Sequence, residues 1–367
     1  MMGSANEALL DTLIGHEVDL SRLSNGQVVA IIKILNSRDA DLRAALITAI
    51  DNLGSNLSAD AVDAALSAVL RINKDTFVAI RQALDQTTDS LISYEIAFQQ
   101  GALQAVIPAV VQEAIPIAAA QFSHVKAIAQ ARPFQGRLLR EWMDGIEAGR
   151  AAAVRNAVRA GVVEGRTTAD IVRTVMGTRA QSYADGILQK PRREIESVVR
   201  SAISHTAESA SDASYEANSD IISHVIWLST LDSRTSQACR IRDRLPYTLG
   251  TYKPIGHKIP WLAGPGRIHF CCRSTKFPVL KNASKLGFSD SGTRSSMDGQ
   301  VPQSMSYGDW IKSQSAARQD QVLGPARGKL LRDGGLAPDA FYNDKGVFLN
   351  LDQLRERDAE AFRKAGL

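Results

Sequence analysis

The chain reads as mainly α-helical: long helices through the N-terminal two-thirds, a small α+β module at about residues 221–280, and a short helical C-terminal extension. Three observations predict this. Of 367 residues, 44% are hydrophobic and 22% charged, enough to bury more than one core and too apolar for disorder. Only four aromatic residues (Phe77, Tyr94, Phe98, Phe122) occur in the first 130 positions, so that third must pack through Ala, Leu, Ile and Val, which favours helices. The first convincing strand, β-branched and aromatic, arrives only at Ile221–Leu231.

Residues 1–130 form an acidic helical domain in this reading. Ser24-Asn25-Gly26 and Asp51-Asn52-Leu53-Gly54 are turn chemistry, and Ser58 caps a helix through Asp60 and Val62. Residues 101–122 are nearly free of charge and approach the length of a membrane span, but Pro108, Pro116, three glutamines and Glu113 interrupt them. A buried, kinked helix is expected there; a membrane-inserting helix is the competing reading.

From 131 to 220 the pattern is that of long amphipathic helices. Leu138, Trp142, Ile146, Gly149, Ala153 and Ala157 recur at three- and four-residue steps, with Arg140, Glu147, Arg150, Arg155 and Arg159 off that line. Gly165 to Asp170 supplies a stop and a capping-box start for the helix of Ile171–Met176. Residues 191–219, rich in Ala and Ser, predict a closely packed helix on which His205 is packed or faces a partner rather than binding a metal. Residues 281–303, nearly devoid of apolar side chains after Lys281, read as a linker or surface loop. Residues 304–367 return to helices anchored by Trp310, Val322, Leu323, Leu330, Leu331, Phe341, Phe348, Leu351 and Leu354.

Charge is uneven along the chain. Residues 1–130 hold 8 Lys+Arg against 14 Asp+Glu, and residues 131–367 hold 35 against 25. A basic region of this kind can lie against phosphate or an acidic protein surface. The three cysteines lie between 239 and 272, too few and too clustered for a secreted disulfide scaffold, and the first residues lack a signal-peptide pattern, so folding in a reducing compartment is expected.

The unusual chemistry lies between 227 and 280. Thr235 or Ser236 can cap a short helix carrying Cys239, and Asp232 can accept from nearby backbone donors or pair with an arginine. Beyond a Pro-rich interval comes Arg267-Ile-His269-Phe-Cys271-Cys272-Arg273-Ser274. Cys239, His269 and Cys272 are three soft or imidazole donors of the kind that zinc gathers; Asp232, His257 or water could complete the set. A Cys239–Cys272 disulfide and plain buried thiols are the alternatives. Cys271 and Cys272, being adjacent, would diverge on a strand, an objection a turn would relax. No carboxamide or carboxylate stands in register with His269 and Cys272, and neither a phosphate-cradling glycine loop nor a His-Glu-x-x-His helix occurs, so no catalytic residue is assigned.

The string Trp227-x4-Asp232-x-Arg234-Thr235-x3-Cys239, followed by Arg267-Ile-His269-Phe-x-Cys272-Arg273-Ser274, resembles the signature of tailed-phage head morphogenesis proteins, the minor capsid proteins like protein F of phage Mu. The resemblance covers about residues 131–355, taking in the 165–171 turn upstream and Ser306–Gln314 and Arg318–Arg327 downstream. Many relatives carry Cys-x-x-Cys and a closing Cys-Arg-Cys where this chain has Ser236 and Ser274. The resemblance implies a virion component made in the host cytoplasm. It would lie inside the head near the portal vertex, with portal protein or major capsid protein and packaged double-stranded DNA as partners. Its role would be in head assembly or DNA ejection. An ejected effector enzyme, a nuclease or transferase using Asp232, His269 and Arg273, and a membrane-active ejection protein are the alternatives.

Overall fold

The computed structural model describes residues 5–53, 58–281 and 293–367. Helix accounts for 62% and strand for 9%, the mainly α composition expected. The helices are α1 (Ala5–Ser37), α2 (Asp39–Asp51), α3 (Ala59–Ala65), α4 (Ser67–Val106), α5 (Ala109–Ala114), α6 (Phe122–Ala131), α7 (Leu139–Val163), α8 (Thr168–Met176) and α9 (Gln189–Ala217). The small module follows as β1 (Ile222–Leu228), α10 (Gln237–Arg240), β2 (Pro246–Thr248) and β3 (Thr275–Leu280). A hairpin of β4 (Thr293–Ser296) and β5 (Gly299–Pro302) leads into α11 (Tyr307–Ser313), α12 (Ala316–Leu323), α13 (Pro325–Arg332), α14 (Leu351–Arg357) and α15 (Ala359–Lys364).

The chain divides into two compact units, neither of them a contiguous stretch. The first comprises residues 1–20, 92–125 and 207–367; the second comprises 21–91 and 126–206. The break points fall inside α1, α4, α6 and α9. A helix of 40 residues such as α4 is roughly 60 Å long, more than one core can cover. Grouping by unit redistributes the charge: the second unit carries 21 Lys+Arg against 16 Asp+Glu, the first 22 against 23. Positive charge therefore belongs to the helical second unit and not to the C-terminal part of the chain as a whole.

The core of the second unit joins Leu42 and Leu46 of α2, Val62 of α3, Val154 and Val158 of α7, and Ile171 and Val175 of α8. The predicted caps form: Ser58 accepts from the amide of Ala61, and Thr167 from that of Asp170. The apolar face predicted for α7 is corrected by one step. The buried line is Met143, Ile146, Arg150, Val154 and Val158, whereas Gly149 is exposed. Arg150 enters because its guanidinium donates to Asn73 Oδ1 at 2.9 Å; burial lowers its pKa to about 10. His205 is packed: its ring lies 5.4 Å from that of Phe134, and Nε2 bonds the carbonyl of Ala129 at 2.9 Å.

Two local expectations in the N-terminal third give way to tertiary contacts. Ser24-Asn25-Gly26 is not a turn but part of α1, with Ser24 buried. An interior glycine costs only about 1 kcal/mol, which burial of Val28, Ile31 and Leu35 offsets. Residues 101–122 are not one buried kinked helix: α4 ends at Val106, α5 is short with no buried residue, and Val110 is 72% exposed. Pro108 removes a helical donor and starts the new turn as the N-cap of α5. No helix among the described residues is long and apolar enough to cross a membrane.

The first unit is built around an antiparallel sheet ordered β2-β1-β3, with Val225 opposite Tyr247 on one side and Pro278 on the other. Its core gathers Trp227, Tyr247, Trp261 and Phe277 with Leu103 of α4 and Tyr215 of α9. Every residue from Ala207 to Tyr215 is buried, the Ala and Ser positions allowing close packing while Glu208 and Asp212 take internal partners. The C-terminal extension packs Trp310, Leu330, Phe341, Leu354 and Phe362 with Leu231, but Leu351, an expected anchor, is 36% exposed. Of the expected linker, residues 282–292 lie outside the described residues. The remainder is the β4–β5 hairpin, ordered because Arg294 reaches inward to Asp243 at 3.0 Å.

Candidate functional site

Trp227 sits on the central strand, fully buried, with Trp261 edge-on at 5.1 Å and its indole N–H donating to Ser229 Oγ at 3.1 Å. Ser229 in turn donates to the carbonyl of Cys239 at 2.9 Å, so the tryptophan fixes the height at which the cysteine-bearing turn crosses the sheet. Ser236, not Thr235, caps α10, accepting from the Cys239 amide at 3.3 Å.

Asp232 is the hub of the adjoining turn. Its carboxylate accepts both terminal nitrogens of Arg273, at 2.6 and 3.0 Å, together with the Arg234 amide at 3.0 Å and Thr235 Oγ1 at 3.1 Å. Burial opposes ionisation, but the bonds and charge of Arg273, then Thr235 and Arg234, leave the pKa below the ordinary carboxylate value. Thr235 shares its one hydroxyl proton between Asp232 and the Thr230 carbonyl, and Thr230 Oγ1 donates to the carbonyl of Arg273, tying the two arms of the module together. The Arg234 side chain is exposed, its Nε 3.9 Å from Asp232 Oδ2, so it enters through its backbone.

Cys239, His269 and Cys272 converge. Cys239 Sγ is 3.4 Å from His269 Nε2 and 3.7 Å from Cys272 Sγ, and the three donor atoms all lie within 4.8 Å of one another, a cluster that could hold a metal ion. Because Nδ1 of His269 bonds the Phe270 carbonyl at 2.9 Å, that nitrogen carries the proton and Nε2 turns to the sulfurs. The Cys272 thiol, followed by His269 and the hydroxyls of Ser236 and Ser274, holds Cys239 down to about 4 against its burial. Cys272 is pushed well above its ordinary value by the same bond and by burial, and the bond to Cys239 raises His269.

None of the three cysteines is in a disulfide. Cys271 has a φ of 55°, a turn that removes the objection to adjacent cysteines: it points Cys271 to the surface and leaves Cys272 buried. The suggested fourth donors do not reach. Asp232 is committed to Arg273, and both ring nitrogens of His257 are engaged, Nε2 by the Pro246 carbonyl at 2.9 Å and Nδ1 by the Ile259 amide at 3.2 Å. The Ser236 hydroxyl accepts from the Cys239 amide, and the Ser274 hydroxyl donates to Ser229 Oγ at 3.4 Å.

Several residues that hold this site in place went unrecognised in the sequence. Asp243, fully buried, accepts from the Ser229 and Tyr307 amides at 2.7 and 2.8 Å and pairs with Arg294, joining the sheet to the C-terminal extension. Asp212 of α9 receives Arg267 at 2.8 Å, Lys276 at 2.8 Å and Tyr252 at 2.6 Å; although burial opposes it, Lys276 and Arg267 hold it well below the carboxylate range. Charged residues in a strand or a Pro-rich loop look solvated in the sequence, and only their partners reveal them as internal.

Compared with known proteins, the chain matches no family model, no curated protein and no solved structure.

Proposed function

We propose that the chain is a minor head protein of a tailed bacteriophage, held in the virion near the portal vertex, with portal or major capsid protein and packaged DNA as partners, acting in head assembly or DNA ejection. The observation that carries the reading is the mutual engagement of the residues that resemble the head-morphogenesis signature. Asp232 accepts from both Thr235 and Arg273, Cys239, His269 and Cys272 meet, and Trp227 is buried in the same module. Their polar groups satisfy each other and leave little to offer a substrate. Cys239 and Cys272 are each 1% exposed, so an electrophile reaches neither sulfur without opening the module, which favours a structural clasp over a catalytic centre.

Within this reading the clasp holds a structural zinc. Tetrahedral bonds of about 2.3 Å to sulfur and 2.0–2.1 Å to nitrogen require S···S near ~3.8 Å and S···N near ~3.5 Å; the separations from Cys239 are 3.7 and 3.4 Å, and the remaining one lies within 4.8 Å. Cys239, Cys272 and His269 Nε2 would be three of the ligands, with water in the fourth position and Phe270 orienting the imidazole.

The test is co-expression with portal protein and with procapsids, followed by affinity capture and localisation in intact particles. Co-purification with portal and a position at the portal vertex are expected. A folded chain that captures neither portal nor procapsid would remove the head assignment.

A further inference from the structure

The second unit contains an open cleft of about 970 Å³ between α2, α8, the turn that follows α8, and the start of α9. Each of these segments contributes an arginine: Arg43, Arg173, Arg179 and Arg192. The acidic groups nearby are already committed. Asp39 pairs with Arg192 at 2.7 Å, Asp51 accepts from Thr168 at 2.8 Å, and Asp170 pairs with Arg173 at 3.1 Å. The guanidinium groups of Arg43 and Arg179 have no hydrogen-bond or ion-pair partner among the described residues, so the cleft keeps two unpaired guanidinium groups beside one carboxylate, Asp51, that accepts from a neutral hydroxyl.

The wall is also polar and unsatisfied. Arg192 Nε is buried there without a hydrogen-bond partner, a donor that costs free energy until an acceptor such as an anionic oxygen meets it. The turn carrying Arg179 is rigid. Asp185 accepts from the Thr178 amide and hydroxyl at 2.8 Å, and Gly177 has a φ of 86° with no room for a side chain, since a Cβ would meet Asp185 Oδ1 at 2.8 Å. This closure places Tyr183 on the cleft, the residue 44% exposed and with a φ of 62°. A bulky residue held in that conformation stores strain of a kind that clusters at binding sites.

Arginines from separate elements that present planar donors with an aromatic ring beside them match the phosphate and base of a nucleic-acid strand. The net positive charge of this unit has the same sign. We propose that this cleft is a phosphodiester-binding site in which Arg43 and Arg179 take phosphates of a nucleic-acid strand between Arg173 and Arg192. The proposal rests on the reading that the protein meets DNA, and it adds the place where it does so.

The experiment measures binding of the full chain to short labelled DNA, duplex and single-stranded, by fluorescence anisotropy over a range of salt. The Arg43→Gln/Arg179→Gln variant should bind about tenfold or more weaker at low salt. The slope of log affinity against log salt should flatten by about 1.8 for duplex or about 1.4 for single strands, the value for two lost phosphate contacts. Lys33→Gln/Lys345→Gln, which removes the same charge from exposed sites elsewhere, should leave the slope unchanged. Tyr183→Ala distinguishes the sources: a loss of roughly fivefold or more on single strands alone marks an unpaired strand as the ligand, and an arginine effect on duplex with Tyr183→Ala silent marks a duplex. If the arginine variant binds DNA as the native chain does, the cleft assignment is overturned and DNA contact elsewhere stands. If the native chain binds no DNA, the cleft assignment and the DNA contact both fall, and portal capture decides the head assignment separately.

Discussion

Asp232 and Arg273, 41 positions apart, meet in a two-pronged ion pair of 2.6 and 3.0 Å that closes the ends of the 232–273 segment on each other. The carboxylate is nearly buried while the guanidinium is 37% exposed, so the Coulombic part is screened and the geometry matters more than the charge. Asp232→Ala would strand Arg273, Thr235 and the Arg234 amide together and should destabilise the first unit by about 2–3 kcal/mol, whereas Arg273→Ala should cost about 1 kcal/mol. Denaturant unfolding of both single variants and the double variant measures the coupling. A double variant whose loss equals the sum of the two would mean that the pair contributes nothing.

Stability should depend on pH through Glu17. Its carboxyl is enclosed beside Glu208 and Glu95, and burial, then those two charges, pushes it up to about 8 despite Thr275 and Lys276. The folded chain then binds more protons than the unfolded one, whose carboxyl keeps the ordinary value of 4.5. The contribution is therefore greatest below about 4.5, declines as pH rises, and levels off above about 8. Glu17→Gln should abolish that decline and stabilise the protein at pH 9 by on the order of 2–4 kcal/mol. Parallel stability curves for the variant and the native chain would refute it.

Metal content gives a direct check on the clasp. Protein purified without chelator should carry close to one zinc per chain by elemental analysis, lost in Cys239→Ser and in Cys272→Ser. Ser274→Cys, which adds a thiol two positions after Cys272, should tighten retention against a competing chelator. Metal-free native protein with an unaltered melting temperature would show the thiols to be simply buried.

Gly264 is required by its neighbour. Its φ is 90°, and a Cβ there would stand 2.6 Å from Nε1 of Trp261, which stacks on Tyr252 at 4.6 Å. Gly264→Ala should cost about 2–4 kcal/mol by combining backbone strain with overpacking. The near-ultraviolet circular dichroism of the tryptophans should weaken with it; an unchanged spectrum and melting temperature would contradict this packing.

Much of the local structure was legible without coordinates. The Thr167 and Ser58 caps, the Ala/Ser helix and the strand through Trp227 follow from residue type and spacing, because a cap or a pleat engages groups only a few positions apart. Cys239, His269 and Cys272 could be grouped for a similar reason, since few combinations of soft donors exist in a chain with three cysteines.

What only the tertiary structure decided involves distant partners. Arg150 faces inward because Asn73 waits there, Asp243 is internal because Arg294 returns to it, and Ser24–Gly26 stay helical because the apolar residues that follow are buried. Each is a case where a local preference of about 1 kcal/mol yields to burial and buried hydrogen bonds worth more than that. Residue type sets the local preference; the three-dimensional arrangement alone decides which groups are there to overrule it.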